Sequence, residues 1–214
     1  MANQKTIITI GRQFGSGGHE IGATIAQDLG IKLYDKEILK RAAKDSGICE
    51  EFFEIHDETT SRSFLYSLLM DSHTFGRAYT SEAGIPLNHQ LFLEQFNAIK
   101  NIAEEASCVI VGRCADYALA ENTDVVNVFI YADIEKRIRR IARIYDMTDK
   151  QAKDIIMKND KQRASYYNYY TNKTWGDAKS YDLCIDSGKL GIGGTAKVIE
   201  DYIKLKNKIE NAKL

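Results

Sequence analysis

The sequence predicts a parallel α/β sheet with helices on both faces. Short β-branched runs alternate with helix-period segments along the chain, an order that closes into right-handed parallel crossovers. SCVIVG (107–112) and VVNVFIYA (125–132) are apolar almost without interruption, as strands buried on both faces must be. The stretch GRQFGSGGHEIG (11–22) places four glycines among its first eight residues, directly between an apolar run and a helix-like segment.

KTIITI (5–10) is the first strand. The segment HEIGATIAQDLG (19–30) is the first helix, with Ile21, Ile25 and Leu29 recurring every four residues and Gly30 as its stop. KLYD (32–35) is a short second strand, and DKEILKRAAKDSG (35–47) a helix that Asp35 is placed to cap. From about 50 to 106 the pattern is helical or irregular. It includes the polar stretch HDETTSRS (56–63), the only proline, Pro86, and a helical run through FLEQFNAIKNIAEEA (92–106). This segment reads as an insertion at the sheet's edge.

After the strands at 107–112 and 125–132, with the short helix CADYALAEN (114–122) between them, comes DIEKRIRRIARIYDM (133–147). This is a basic helix whose apolar side is Ile134, Ile138, Ile141 and Ile144 or Tyr145. Thr148 followed by Gln151 opens a further helix through YYNYY (166–170) with a capping box. YDLCID (181–186) is the last strand, and TAKVIEDYIKLKNKIE (195–210) the closing helix.

At 214 residues the chain suits one substantial core with appendages and is too short for two ordinary domains. A formal net charge of −1 argues against a dedicated nucleic-acid binder, so any anion site has to be local. The four cysteines, Cys49, Cys108, Cys114 and Cys184, lie far apart without metal-ligand spacing and read as reduced thiols. His56, His73 and His89 show no ligand spacing either. The start MANQKTIITI lacks a basic-then-apolar leader, and no run reaches the roughly 18 apolar residues of a membrane span, so the cytosol is the expected location, with no membrane partner.

A glycine loop between strand and helix turns backbone N–H groups and the positive end of the helix dipole toward one point, which makes an anion site without net charge. The usual phosphate-loop spacing, G-x-x-x-x-G-K-[ST], is not met. With Gly17 as its second glycine, Gly18 stands where lysine belongs, His19 where serine or threonine belongs, and Arg12 where the first glycine belongs. Arg12 and His19 are local cations that can supply part of the missing charge. A dinucleotide loop competes for the same observation, since Asp35 sits near the distance of its ribose-binding acid.

The remaining motifs resemble the cytidylate kinase-like family of P-loop nucleoside monophosphate kinases. ITIGRQFGSGGHEIGATIAQDLGIKLYDKEILKRAA is similar to those relatives, including the loss of the loop lysine. The pair Gly112-Arg113 in VIVGRCADYAL resembles the Gly-Arg at the end of the third strand. DKQR (160–163) is similar to the D-x-x-R of the lid, and YDLCIDSGKLGI to the closing strand with its Asp-Ser turn. The poorest match is about 50–100.

The resemblance implies a single P-loop domain of three layers around a five-stranded sheet. Its core would be about 1–49, 107–132 and 181–214, its acceptor-binding helical insertion about 50–106 and its helical lid about 133–175. The implied substrates are ATP, with Mg2+, and a nucleoside monophosphate, CMP or dCMP. Gly11, Gly15, Ser16, Gly17, Gly18 and His19 would bind donor phosphates, closed over by Arg139, Arg140 and Arg143 from the lid. Asp35, Arg41, Arg113 and Asp116 would hold the acceptor. Arg12, His19, Arg113 and Arg163 would stabilise the transferring group, because guanidinium forks match phosphate and stay charged.

Alternatives stand beside these roles. Asp35 caps its helix, Arg41 pairs with Glu37 across one turn, and the lid arginines form a solvated face. Asp160 either pairs with a lid arginine or holds water around magnesium. YYNYY and Trp175 suit lid-to-core packing better than base stacking. Gly18 favours a nucleotide-binding regulatory protein over a kinase, and the weakly matching middle favours another small phosphorylated or hydroxylated acceptor. SFLYSLLM (63–70) offers an apolar face for a homodimer or for core.

Overall fold

The computed structural model describes residues 5–47 and 87–212. Cys49, HDETTSRS, SFLYSLLM, His56, His73 and Pro86 lie outside the described residues. Strands β1 (Ile7–Arg12), β2 (Lys32–Tyr34), β3 (Cys108–Val111), β4 (Val125–Tyr131) and β5 (Leu183–Asp186) form one sheet in the order β2-β3-β1-β4-β5. Every pairing is parallel, with Ile7 opposite Cys108 on one side and Val125 on the other. All five strands fall where the apolar runs predict them.

The strand period of two sends alternate side chains to opposite faces. Ile7, Cys108 and Ile110 meet helices α2 (Glu37–Ser46) and α3 (Leu87–Glu105), through Ile38, Leu39, Leu91, Ile99 and Ile102. Ile8, Ile10, Val109, Val111, Val126 and Val128 meet helix α1 (Gly18–Leu29) through Ile21 and Ile25, and the closing helix through Ile199 and Ile203. Both faces are therefore dry, which is why these strands are apolar at successive positions. Helix α3, expected within the insertion, is a layer of this core. Thr9, the polar residue at the centre of β1, donates its hydroxyl to Asn127 Oδ1 at 2.7 Å and so buries no unpaired group.

A short helix α4 (Ala115–Ala118) follows β3, and helices α5 (Ile134–Tyr145) and α6 (Asp149–Thr171) form a hairpin between β4 and β5. Helix α6 opens with the predicted capping box, Thr148 and Gln151 each satisfying the other's backbone. Ile138 and Ile141 pack on Ala152 and Ile156 with Phe14 of the glycine loop against them. The apolar side of α5 ends there, since Ile144 and Tyr145 are exposed. From the far end of α6, Tyr166 and Tyr170 reach Phe92 of α3, with the Phe92 and Tyr170 rings stacked 4.1 Å apart. Tyr166 and Tyr170 thus pack between helices, while Tyr169 is exposed.

Helix α7 (Ser187–Asn211) starts eight residues before its predicted first residue, directly on β5. Gly191 breaks it with φ 69° and ψ −179°, so Ser187–Leu190 form a separate turn ahead of the long helix. The glycines of SGKLGIGG hide this turn from a periodicity reading. No helix among the described residues is long and apolar enough to cross a membrane.

Candidate active site

The loop from Gln13 to Gly17 leaves the C-terminal edge of the central strand. Gly15 and Gly17 both take φ 81°, a left-handed conformation that glycine adopts without a steric penalty. Gly17 is the cap position of α1 and supplies no side-chain cap, so the first N–H groups of that helix are left for a ligand. Ser16 is buried and its hydroxyl donates to the Gln13 carbonyl at 2.8 Å. The Ser16 N–H turns to the same Gln13 carbonyl at 3.3 Å, so both its donors are held within the loop.

Gly18 accounts for the missing lysine. A β-carbon there would stand 2.6 Å from Arg12 Cβ and 3.0 Å from Arg12 Cγ, so the stem of Arg12 occupies the space in which a residue-18 side chain would begin. A side chain at residue 18 would have to displace the stem of Arg12. Arg12 lies within electrostatic reach of Asp35, as does His19.

Asp35 joins the cations. Its Oδ1 accepts from Arg113 Nη1 at 2.6 Å, and its Oδ2 lies 3.0 Å from His19 Nδ1. Burial alone would raise its pKa, but the Arg113 charge and hydrogen bond, helped by Arg12 and His19, hold it below the usual aspartate value. The cap position of α2 is Lys36, without a side-chain cap, so the expectation that Asp35 caps this helix is corrected: its carboxylate goes to Arg113 instead. Arg113 is 3% exposed and also donates to the Val111 carbonyl at 3.3 Å. Gly112, Arg113 and Cys114 take φ 77°, 55° and 54°, an unusual left-handed run that costs about 1–2 kcal/mol at each non-glycine position. Such strain is held where a side chain must be aimed, here under the strand ends.

The α5–α6 hairpin is latched onto the loop. Asp160 Oδ1 accepts the Phe14 N–H at 2.7 Å, and its Oδ2 accepts Arg137 Nη1 at 2.6 Å. Arg137 also donates to the carbonyls of Phe14 at 3.2 Å and Ala132 at 3.0 Å. Of the two roles open to Asp160, the structure contains the ion pair, with an arginine that the sequence reading did not single out. Arg163 donates to the Arg12 carbonyl at 3.3 Å and lies over the Phe14 ring. Arg139, Arg140 and Arg143 join Lys136, Gly15, Ser16 and the Ser187–Ile192 turn around an open cavity of about 410 Å³. Arg140 is ion-paired with Glu20 in the first turn of α1.

On the other side of β1, Arg12, Arg113 and Arg163 line a small space of about 20 Å³ with Asp116, Tyr166, Tyr167, Trp175 and Tyr181. That is room for about one water. Asp116 accepts the Tyr167 hydroxyl at 2.6 Å, and burial pushes its carboxyl above the usual range. Burial and Asp116 likewise push Tyr167 up. Arg41 is not brought here. It pairs with Glu105 and, one turn on, with Asp45 rather than with Glu37. Glu105 precedes β3, so Arg41 faces the N-terminal edge of the sheet, opposite the loop.

Arg137 had a legible signal: it falls three residues after Ile134 and four before Ile141, on the apolar side of its helix, where an arginine must find partners. Gln13, whose Oε1 accepts the Ala132 N–H at 3.2 Å, carried none, and for Ser187 the Asp-Ser turn marked the position but not its bond to the loop.

The model of the cytidylate kinase-like family matches residues 7–189. A cytidylate kinase from Methanococcus vannielii is 29% identical over 105 residues, 48% of this chain, and the match spans 60% of that relative's length. An uncharacterized protein from Eubacterium ventriosum has a solved structure with a TM-score of 0.70 and 31% identity over 94% of this chain and 99% of that one. Shikimate kinases share the fold at lower identity. The one from Acinetobacter baumannii, solved with shikimate, has a TM-score of 0.51 at 13% identity over 96% of both chains. That from Bacteroides thetaiotaomicron has 0.50 at 15%, over 93% and 98%. With a P-loop fold, a lysine-less glycine loop and a family match over most of its length, the chain belongs to the cytidylate kinase-like family.

Proposed function

We propose that the protein is an ATP-dependent kinase that phosphorylates a nucleoside monophosphate, CMP or dCMP by its family. The observation that carries this reading is the exchange between Arg12 and Gly18: the loop has lost its lysine together with the space for one, and an arginine enters that space from the strand. Phosphoryl transfer needs two substrates held in line and the charge on the moving group neutralised. In this reading the donor lies in the cavity under Arg139, Arg140 and Arg143, with its phosphates on the N–H groups from Gly15 to His19. The acceptor lies across Arg113 and Asp116. An acceptor oxygen forms its bond to the γ-phosphorus as the bond to the β-bridging oxygen breaks, while Arg12 and Arg163 hold the equatorial oxygens.

Among the described residues no group of three or more His, Cys, Asp or Glu could hold a metal. Magnesium, carried mainly by phosphate oxygens and water, would neutralise charge on the donor. The narrow space beside Arg113 would widen around an acceptor by movement of α6 or Trp175, consistent with a lid role for 133–175.

Asp35 favours a second reading. It already occupies one arm of Arg113 and sits beside His19 as a carboxylate. An acceptor hydroxyl would give its proton to Asp35 as its oxygen attacks, which makes a small hydroxylated metabolite the alternative substrate. The test is ADP release from ATP and magnesium with nucleoside monophosphates and with hydroxylated acids offered separately. Turnover dependent on CMP or dCMP supports the first reading and turnover on a hydroxyl acceptor the second. ATP binding without turnover on any acceptor leaves the regulatory alternative and sinks both.

A further inference from the structure

Ser187 opens α7, yet its hydroxyl acts on a distant part of the chain. The residue is 6% exposed, and Oγ lies 2.6 Å from the Ser16 carbonyl and 3.1 Å from the Tyr131 carbonyl. A hydroxyl has one proton to donate, and the shorter contact takes it. In a trans peptide the C=O and the following N–H point to opposite sides. Pinning the Ser16 carbonyl against α7 therefore turns the Gly17 N–H away from α7.

The rest of the turn reinforces this hold. Ile192 Cδ1 sits against the α-carbon of Gly17, so closely that a β-carbon there would overlap it. The Gly188 carbonyl accepts Lys136 Nζ of α5 at 2.5 Å. Ser187, Gly188, Gly191 and Ile192 also wall the 410 Å³ cavity. One short turn thus grips the glycine loop, is held by α5 and faces the cavity.

We propose that Ser187 is a positioning residue: it sets the Ser16–Gly17 peptide so that the Gly17 N–H faces a donor phosphate, and it ties that orientation to occupancy of the cavity. This rests on the reading of the cavity and loop as a donor-nucleotide site. A phosphate chain would feel the peptide's orientation, whereas a ligand that fills the cavity without reaching Gly17 would not.

The test is calorimetric titration of the full chain and of Ser187→Ala and Ser187→Thr with magnesium ATP and with AMP, alongside melting temperatures. Ser187→Ala is expected to weaken ATP binding by roughly tenfold and AMP binding by less than about twofold, with Ser187→Thr, which keeps the hydroxyl, close to the unaltered chain. Unchanged ATP affinity in Ser187→Ala, or equal loss of ATP and AMP, overturns the inference while the donor site stands. Absence of ATP binding by the unaltered chain overturns both. If Ser187→Ala does not fold, Ser187→Thr decides alone: ATP affinity reduced to the same extent as AMP affinity counts against the proposal, and wild-type affinity for both supports it.

Discussion

Arg12 and Gly18 are sterically complementary: the β-carbon of the arginine lies 2.6 Å from the place where a β-carbon on residue 18 would stand. Gly18 opens a helix with an ordinary negative φ, so alanine there would meet no backbone penalty of its own. Gly18→Ala should nonetheless destabilise the fold by about 1–3 kcal/mol, the cost of overpacking. In the double variant Arg12→Gly/Gly18→Ala most of that cost should disappear. Urea midpoints for the four proteins form a double-mutant cycle, and additive changes would contradict the contact.

Asp160 and Arg137 latch the α5–α6 hairpin onto the loop, with side chains 16% and 7% exposed. Removing one partner strands the other charge in a poorly solvated place. Asp160→Ala should cost about 3–5 kcal/mol and free the Phe14 N–H. Hydrogen exchange should then speed up at Phe14 and along α6. Unchanged exchange at Phe14 would mean that the carboxylate does not hold the loop.

Asp35 should leave a mark on the acid limb of stability. Burial opposes its ionisation but Arg113 and the neighbouring cations prevail, so its folded pKa lies below the unfolded one. Such a group contributes stability that is fully present above the unfolded value and is lost as pH falls through the folded one. The unaltered protein should therefore lose stability on acidification below about pH 4, and Asp35→Asn should lose less across that window while being weaker at pH 7. Denaturation curves at several pH values check this, and parallel profiles would contradict it.

The sheet was legible because parallel strands buried on both faces must be largely apolar at consecutive positions, as Cys108–Val111 are throughout and Ile7–Ile10 and Val125–Ile130 are apart from the mutually bonded Thr9 and Asn127. The loop was legible from its glycines and its place after β1. What escaped was long-range pairing. Nothing local tells that Asp35 bonds Arg113 across the sheet edge rather than capping α2, or that Arg41 turns to Glu105. Asp160 showed as an acid on a lid helix, but its choice of Arg137 depends on how α5 and α6 pack. Ser187 was visible as part of the Asp-Ser turn after β5, but its reach to the glycine loop was not, because the glycines around it blur the start of α7.

The central claim is that Arg12 stands in for the loop lysine on the donor's phosphates. Calorimetric titration of magnesium ATP into the unaltered protein and into Arg12→Ala tests it most directly. Losing one charge-assisted contact to phosphate, about 1.5–3 kcal/mol, should weaken ATP binding roughly 10- to 100-fold with AMP affinity little changed. ATP affinity that is the same in Arg12→Ala as in the unaltered chain would contradict the claim.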